Sequence, residues 1–297
     1  MARILDGKKT ADEIRSELRT AIEALKSNGC TPRLTVVLVG DNAASRIYVN
    51  MKTRACDAIG LASDTISMPA ETGQAELLGV IEGLNTNSAV HGILVQLPLP
   101  SHIDEDTILQ SVSPDKDVDG FHPINRGKLV MGMDTFLPCT PFGVQQLLLR
   151  NGIEISGKHV VIVGRSNIVG MPLSTMLLQK QAGANATVTV CHTGTKDLAS
   201  FTKQADILVA AVGRPEVITG WMVKEGVIVV DVGVNRVDDP DSEKGYRVVG
   251  DVEFASVSLK ARAISPVPGG VGPMTIAMLI YNTVKAAKQI CASSSIG

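Results

Sequence analysis

The chain has 297 residues, 44% of them hydrophobic and 20% charged, with a formal net charge of −2. That length is large for one core and points to two α/β domains. The balanced charge, without long blocks of one sign, argues against a nucleic-acid or membrane-surface partner, since both need a basic patch. Aromatic content of 3% leaves little to stack single strands on. No apolar run reaches the roughly 18 residues needed to span a bilayer, and the N-terminus enters a helical pattern with no signal-peptide core.

Strands and helices alternate along the chain. A helix is expected over 9–27, followed by a β-rich run, LTVVLVG, at 34–40. The next helix carries Tyr48 and Lys52, with Ile47, Met51 and Ala55 as an apolar stripe beside them. A strand near 62–68 and a helix near 73–86 precede the apolar strand GILVQL (92–97), a run that suits a parallel strand buried on both faces. The polar, proline-broken stretch after it reads as a short helix and then a long ordered loop. The segment 140–152 reads as a helix.

Beyond it, strands at 159–164, 186–191, 206–212, 227–233 and 262–266 alternate with helices near 169–182 and 195–204 and a turn at 219–224. This is a doubly wound nucleotide-binding pattern. The polar segment 238–245 reads as a solvated hairpin, and an amphipathic helix closes the chain. The expected boundaries are 1–146 for an N-terminal α/β domain, 147–275 for a Rossmann domain and 276–297 for a helix packing back on the first. Cys30, Cys56, Cys139, Cys191 and Cys291 are odd in number and lack CxxC spacing. They read as reduced thiols of a cytosol-like compartment. His91, His102, His122, His159 and His192 show no ligand spacing, so no metal is expected.

Tyr48 and Lys52 stand at i, i+4, which puts phenol and amine on one helix face. Such a pair can do acid–base work, because each group shifts the other's pKa. The bland alternative is a surface lysine lying over a tyrosine ring. GRSNIVG (164–170) follows an apolar strand and opens a helix. Gly164 allows the tight turn, Gly170 lets the helix approach the sheet, and the helix N-terminus attracts phosphate. Arg165 lies where a 2′-phosphate is expected, and CHTGT (191–195) replaces the acid that would hold an unphosphorylated ribose. Both features favour NADP over NAD.

DKDVDG (115–120) opens like a calcium loop, but Arg126 occupies its twelfth position, where a glutamate is required, so calcium is rejected. One of its aspartates could instead hold an amidine-like ring edge through paired hydrogen bonds. SPVPGGVGPMT (265–275) is rigid and permits close ligand approach. Gln96, at the tip of an apolar strand, has the position of a residue facing a switch-point cleft.

In chain order, YxxxK (48–52), VQLPLP (95–100), PDKDVDGF (114–121), GRSNIVGMP (164–172) and PVPGGVGPMT (266–275) resemble the bifunctional methylenetetrahydrofolate dehydrogenase/methenyltetrahydrofolate cyclohydrolase family. The resemblance implies an N-terminal α/β substrate domain and a Rossmann NADP domain flanking a cleft, in a homodimer acting on tetrahydrofolate derivatives; a preference for polyglutamylated forms is not readable from the residues, and composition points to the cytoplasm. It further implies NADP-dependent oxidation of 5,10-methylenetetrahydrofolate and hydrolysis of the methenyl product to 10-formyltetrahydrofolate. Lys52 would be the central catalytic amine, Tyr48 would stack near and orient the pterin, Gln96 would tune Lys52, and Asp119 would hold the amino-pyrimidine edge.

Val95, Leu97, Pro268, Gly269, Gly270, Val271, Gly272 and Pro273 would line the folate site. Gly164, Arg165, Ser166, Val169, Gly170, Thr193 and Val234 would hold NADP, with Thr193 standing where a serine is common. YxxxK also marks short-chain dehydrogenases, but there a TGxxxGxG motif precedes it, and here the order is reversed and that motif is absent. A non-catalytic NADP-sensing regulator is the binding-module alternative. It would not need Tyr48, Lys52, Gln96 and Asp119 together.

Overall fold

The computed structural model describes residues 2–242 and 245–294. In chain order the elements begin with β1 (Arg3–Ile4), α1 (Gly7–Ser27), β2 (Arg33–Val39), α2 (Ala43–Asp57), β3 (Ala62–Met68), α3 (Gln74–Thr86) and β4 (Gly92–Val95). Three helices follow, α4 (Glu105–Ser111), α5 (Pro123–Val130) and α6 (Cys139–Arg150). Then come β5 (His159–Val163), α7 (Gly170–Leu178), β6 (Thr187–Cys191), α8 (Leu198–Thr202), β7 (Ile207–Ala210), a 3₁₀ turn (Gly220–Met222) and β8 (Ile228–Asp231). The chain ends with β9 (Asn235–Asp238), β10 (Tyr246–Val249), α9 (Phe254–Lys260), β11 (Ala263–Ile264) and α10 (Val271–Ser294).

Two compact units result: residues through Ala11 with Thr140–Thr275, and Asp12–Cys139 with the residues from Ile276 onward. The expected boundary at 146/147 falls inside α6. The first residues join the nucleotide-binding unit because β1 pairs in parallel with β11, Arg3 opposite Ala263. A two-residue strand carries no periodicity from which to predict it.

The first unit is built on a six-stranded sheet of order β1-β11-β8-β7-β5-β6, parallel at every pair. β5, β7 and β8 are buried almost throughout, as expected of strands covered on both faces. The chain runs from β5 outward to β6 and then returns to β7 on the other side of β5. That reversal makes the C-terminal ends of β5 and β7 a topological switch point, where such sheets bind ligands. β9 and β10 form an antiparallel hairpin flanking the polar loop, in which Glu243 and Lys244 lie outside the described residues.

The second unit holds a three-stranded parallel sheet, β3-β2-β4. Val37, Val39, Ile93 and Val95 from that sheet pack with Leu77 and Ile81 of α3 and Ile108 of α4. The stretch expected to be one long loop contains α5, entered through His122, whose Nδ1 accepts from the Ile124 N–H. Pro123 stands at the first helical position, where a missing N–H costs nothing, so it starts a helix and does not break one.

The expectation of five reduced thiols is corrected. Cys30 and Cys291 form a disulfide across 261 residues of sequence, while Cys56, Cys139 and Cys191 are free and buried. Spacing cannot reveal a pair that only the packing of α10 against the turn after α1 brings together. Among the described residues, no helix is long and apolar enough to cross a membrane.

Candidate active site

In the second unit, α2 presents Val49, Lys52 and Cys56 inward, all at most 9% exposed, whereas Ile47 and Met51 are nearly half exposed. The inward face thus runs i, i+3, i+7, the helical repeat of a core-facing stripe. A lysine occupies a position on that face that packing would give to an apolar residue. Tyr48, one turn before it, is 40% exposed. The amine is not left bare, since Lys52 Nζ donates to Gln96 Oε1 at 3.0 Å. Gln96 is oriented in turn by its own Nε2, which donates to the Leu97 carbonyl at 2.7 Å. Its position follows from β4 ending at Val95, which delivers residue 96 just beyond the sheet edge, with its N–H on the Val37 carbonyl. The thiol of Cys56, one turn beyond Lys52, is pushed up to about 12 by burial and then by Asp57. At neutral pH it stays protonated and cannot compete with the amine as a base.

The three aspartates of PDKDVDG have separate fates. Asp115 is exposed. Asp117 is consumed by structure: Oδ1 accepts from the Gly120 and Phe121 N–H groups, and Oδ2 from the His122 N–H and Asn125 Nδ2. Asp119 accepts from none of those backbone groups, and its carboxyl is raised above the usual range by desolvation, against which the Lys52 charge pulls it down. Beside it the Cys139 thiol is raised well above its ordinary value, first by burial and then by the Asp119 charge. Cys139 is therefore a neutral S–H, donating to the Val118 carbonyl at 3.3 Å. A carboxylate whose oxygens are not taken up by backbone N–H groups is suited to accept N–H donors from a ligand.

Two residues support this loop, Gly120 within the DKDVDG motif and Asn282, which has no signature in the sequence. Gly120 turns the chain at φ +74, and a Cβ there would lie 2.7 Å from the Pro138 nitrogen. Asn282 of α10, 1% exposed, donates from Nδ2 to the carbonyls of Val118 and Leu137 at 2.8 and 2.9 Å. Lys116, also buried, caps α3 by donating to the carbonyls of Leu84 and Asn87. Its part is structural.

In the first unit, the turn after β5 is made by Gly164 at φ +126, where a Cβ would lie 2.1 Å from the Ala211 carbonyl oxygen. Gly170, at the start of α7, has equally little room: its Cβ would lie 2.0 Å from the Gly164 carbonyl oxygen. Ser166 Oγ accepts from the Val169 N–H at 3.1 Å, which orders the loop, and Val169 stands at the N-cap of α7. The side chains of Arg165 and Ser166 are exposed at the C-terminal end of β5. Thr193 is exposed just after β6, in a turn closed by the His192 N–H on Thr195 Oγ1. Val234, 54% exposed, lies between β8 and β9. The narrow glycine cradle, the cation at its rim and the helix N-terminus behind it suit a nucleotide phosphate.

Two buried acids that sequence reading missed shape the neighbouring loops. Asp251 accepts from the consecutive N–H groups of Val212, Gly213 and Arg214 after β7, and from Asn235 Nδ2. Asp231, at the end of β8, accepts from Gly233, Asp251 and Val252. Desolvation pushes Asp231 up to about 6 despite those donors. Gly233 and Gly250 have no room for a Cβ against these carboxylates.

The remaining expected residues fall in different surroundings. The side chains of Val95 and Val271 are buried, and Leu97 is partly exposed. Pro268 is exposed, Gly269, Gly272 and Pro273 are partly exposed, and Gly270 is buried under Gly7. The Gly269 carbonyl accepts from the Lys8 N–H at 3.1 Å, which ties this loop to the start of α1.

A parallel sheet with a glycine cradle at its switch point, joined in one chain to an α/β unit with a buried lysine, defines a two-domain α/β enzyme with a nucleotide-binding domain. Residues 5–119 match the catalytic-domain model of tetrahydrofolate dehydrogenase/cyclohydrolase, and residues 138–291 match its NAD(P)-binding-domain model. The chain belongs to the tetrahydrofolate dehydrogenase/cyclohydrolase family. It is 54% identical over 292 residues to the bifunctional protein FolD of Chloroherpeton thalassium, covering 97% of this chain and 99% of that one. The structure is similar to that of the bifunctional FolD enzyme of Campylobacter jejuni, with TM-score 0.92, 52% identity and 97% and 99% of the two chains covered. It is also similar to the Trypanosoma brucei enzyme complexed with NADP and inhibitor, with TM-score 0.91, 39% identity and 97% and 98% covered.

Proposed function

We propose that the protein oxidises 5,10-methylenetetrahydrofolate to the 5,10-methenyl compound with NADP and hydrolyses that product to 10-formyltetrahydrofolate, using one lysine-centred site. The observation that carries the reading is the buried Lys52 amine held on Gln96 at 3.0 Å within the segment that matches the family's catalytic domain. Gly164, Arg165, Ser166, Val169, Gly170, Thr193 and Val234 would hold the nucleotide, whose nicotinamide supplies a hydride acceptor.

The chain's own residues do the rest. Asp119 accepts the paired N–H donors of the pterin's amino-pyrimidine edge, which fixes the one-carbon bridge in position. Tyr48 lies flat beside that ring and restricts its tilt. The methenyl carbon is cationic, so water adds to it and must lose a proton as a C–N bond opens. Lys52 handles that proton, and Gln96 holds the amine where it can reach both the water and the leaving nitrogen. Val95 and Leu97, on either side of Gln96, would contact the folate. Two copies form a dimer in the cytoplasm, and sedimentation of the purified protein tests the dimer.

Supplied with methylenetetrahydrofolate and NADP, the protein is expected to form reduced nucleotide with little build-up of methenyl absorbance. Lys52→Ala should lower hydrolysis by about 10²-fold or more. Near-normal hydrolysis in that variant would remove Lys52 from its role. An absence of nucleotide reduction with either NADP or NAD would favour the nucleotide-sensing alternative.

A further inference from the structure

The disulfide Cys30–Cys291 lies in the second unit and uses none of the residues assigned above. Cys30 sits in the turn between α1 and β2, and Cys291 in the last turns of α10. Their Cα atoms are 6.3 Å apart, within the range that a disulfide bridges without backbone movement. His91, 4% exposed, completes the group: its Nε2 is 3.5 Å from Cys291 Sγ and 3.8 Å from Cys30 Sγ. The three ligand atoms lie within 4.8 Å of one another, as a metal site would also require.

The other nitrogen of His91 decides between those two chemistries. The Arg33 backbone N–H donates to His91 Nδ1 at 3.2 Å, so Nδ1 offers its lone pair and, in the neutral ring, the proton sits on Nε2. Burial, with Lys116 and Arg33 nearby, lowers the imidazole pKa and keeps the ring neutral. An N–H therefore points at the sulfurs. A metal-ligating histidine has the opposite arrangement, with its far nitrogen donating to an acceptor. Lys288 lines the opening beside the sulfurs.

A surface cavity of about 540 Å³, bordered by Asn28, Ser88, Lys288 and both cysteines, gives access to the pair. Cys30 is buried, and Cys291 is partly exposed.

We propose that Cys30–Cys291 is a reversible redox modification site, a disulfide clasp holding the end of α10 to the turn after α1, with His91 as N–H donor to the sulfur set free. Its reductant is a dithiol. One thiolate of the dithiol attacks Cys291 Sγ, the S–S bond breaks, and the electron pair leaves on Cys30 Sγ, where His91 Nε2–H receives it. The second thiolate of the dithiol then attacks the mixed disulfide and expels the Cys291 thiolate. The dithiol becomes a disulfide, and the chain gains two electrons and two protons.

The test is alkylation of the full-length protein followed by intact mass. Protein equilibrated with oxidised glutathione, then denatured and alkylated, is expected to carry three labels, and five after dithiothreitol. Cys30→Ser and Cys291→Ser should each carry four before and after reduction. Reduction of the native protein at pH 7 should be roughly tenfold slower in His91→Gln, because the leaving thiolate loses its donor. Trypsin should cut after Lys288 faster in the reduced protein than in the oxidised one. Five labels under oxidising conditions would overturn the clasp. Tight uptake of one zinc per reduced chain, lost in His91→Gln, would overturn the donor assignment and make the group a metal site.

Discussion

At the residue scale, the chemistry turns on where charges are buried and what meets them. Among the described residues Lys52 donates to Gln96 Oε1, so removing that acceptor takes away the partner of a buried amine. Gln96→Leu is expected to cost about 1–3 kcal/mol of stability at neutral pH and to lower hydrolysis more than hydride transfer, because only hydrolysis needs a placed proton. Urea unfolding and the ratio of the two activities measure this, and equal losses in both activities would contradict it. Asp231 makes a different statement, since its pKa is raised from 3.8 to about 6. Between those values the folded chain keeps a proton that the unfolded chain has released. Its contribution to stability is therefore fullest below about pH 4 and is lost as pH rises through about 6, amounting to roughly 3 kcal/mol. Carboxyl ¹³C NMR should find the Asp231 midpoint near 6, and an ordinary midpoint near 4 would refute it.

Much at this scale was legible in advance. The i, i+4 spacing of Tyr48 and Lys52 and the polar tip at Gln96 were visible in the sequence, and the Lys52–Gln96 bond now links two of the three. Which aspartate of PDKDVDG is left clear of the backbone N–H groups was not readable from the residues. Asp115, Asp117 and Asp119 alternate identically, and only the backbone path that brings four donors to Asp117 separates them.

At the element scale, long-range side chains fix the loops. α10 carries Asn282, whose amide bonds two carbonyls, one of them the carbonyl preceding Asp119. Asn282→Leu should lower stability by about 2–4 kcal/mol, since a buried and a partly buried carbonyl lose a donor. It should raise the KM for folate more than it lowers kcat, because Asp119 would shift while Lys52 stays in place. A variant with lower stability but an unchanged KM would show that the Asp119 loop holds itself. Asn282 and Asp251 escaped the sequence reading because each acts on residues dozens to more than a hundred positions away. The elements themselves were easier: β2, β3, α3 and β5 fall within a residue or two of their expected bounds, since apolar runs and helical stripes are local signals. α5 was missed because Pro123 reads as a breaker unless its place in the helix is known.

At the scale of the whole molecule, nucleotide binding should be visible as stabilisation of the folded chain. At a hundredfold excess over its dissociation constant NADP should add about 2.7 kcal/mol. Arg165→Gln should weaken NADP by about ten- to a hundredfold, the worth of a charged hydrogen bond, while leaving NAD nearly unchanged. Thermal shifts with each nucleotide distinguish these outcomes, and equal weakening of both would place Arg165 away from the 2′-phosphate.

The sequence alone determined the alternation of strands and helices, the glycine turn before α7 and the family, because each depends on short spacings that survive without coordinates. Only the tertiary structure decided that β1 completes the nucleotide-binding sheet, that Asp117 is structural while Asp119 stays available, that Asn282 props the Asp119 loop, and that Cys30 and Cys291 meet. Each of these joins residues separated by local turns or by most of the chain. Their partners are set by backbone direction and burial, and neither is written in the spacing of residue types.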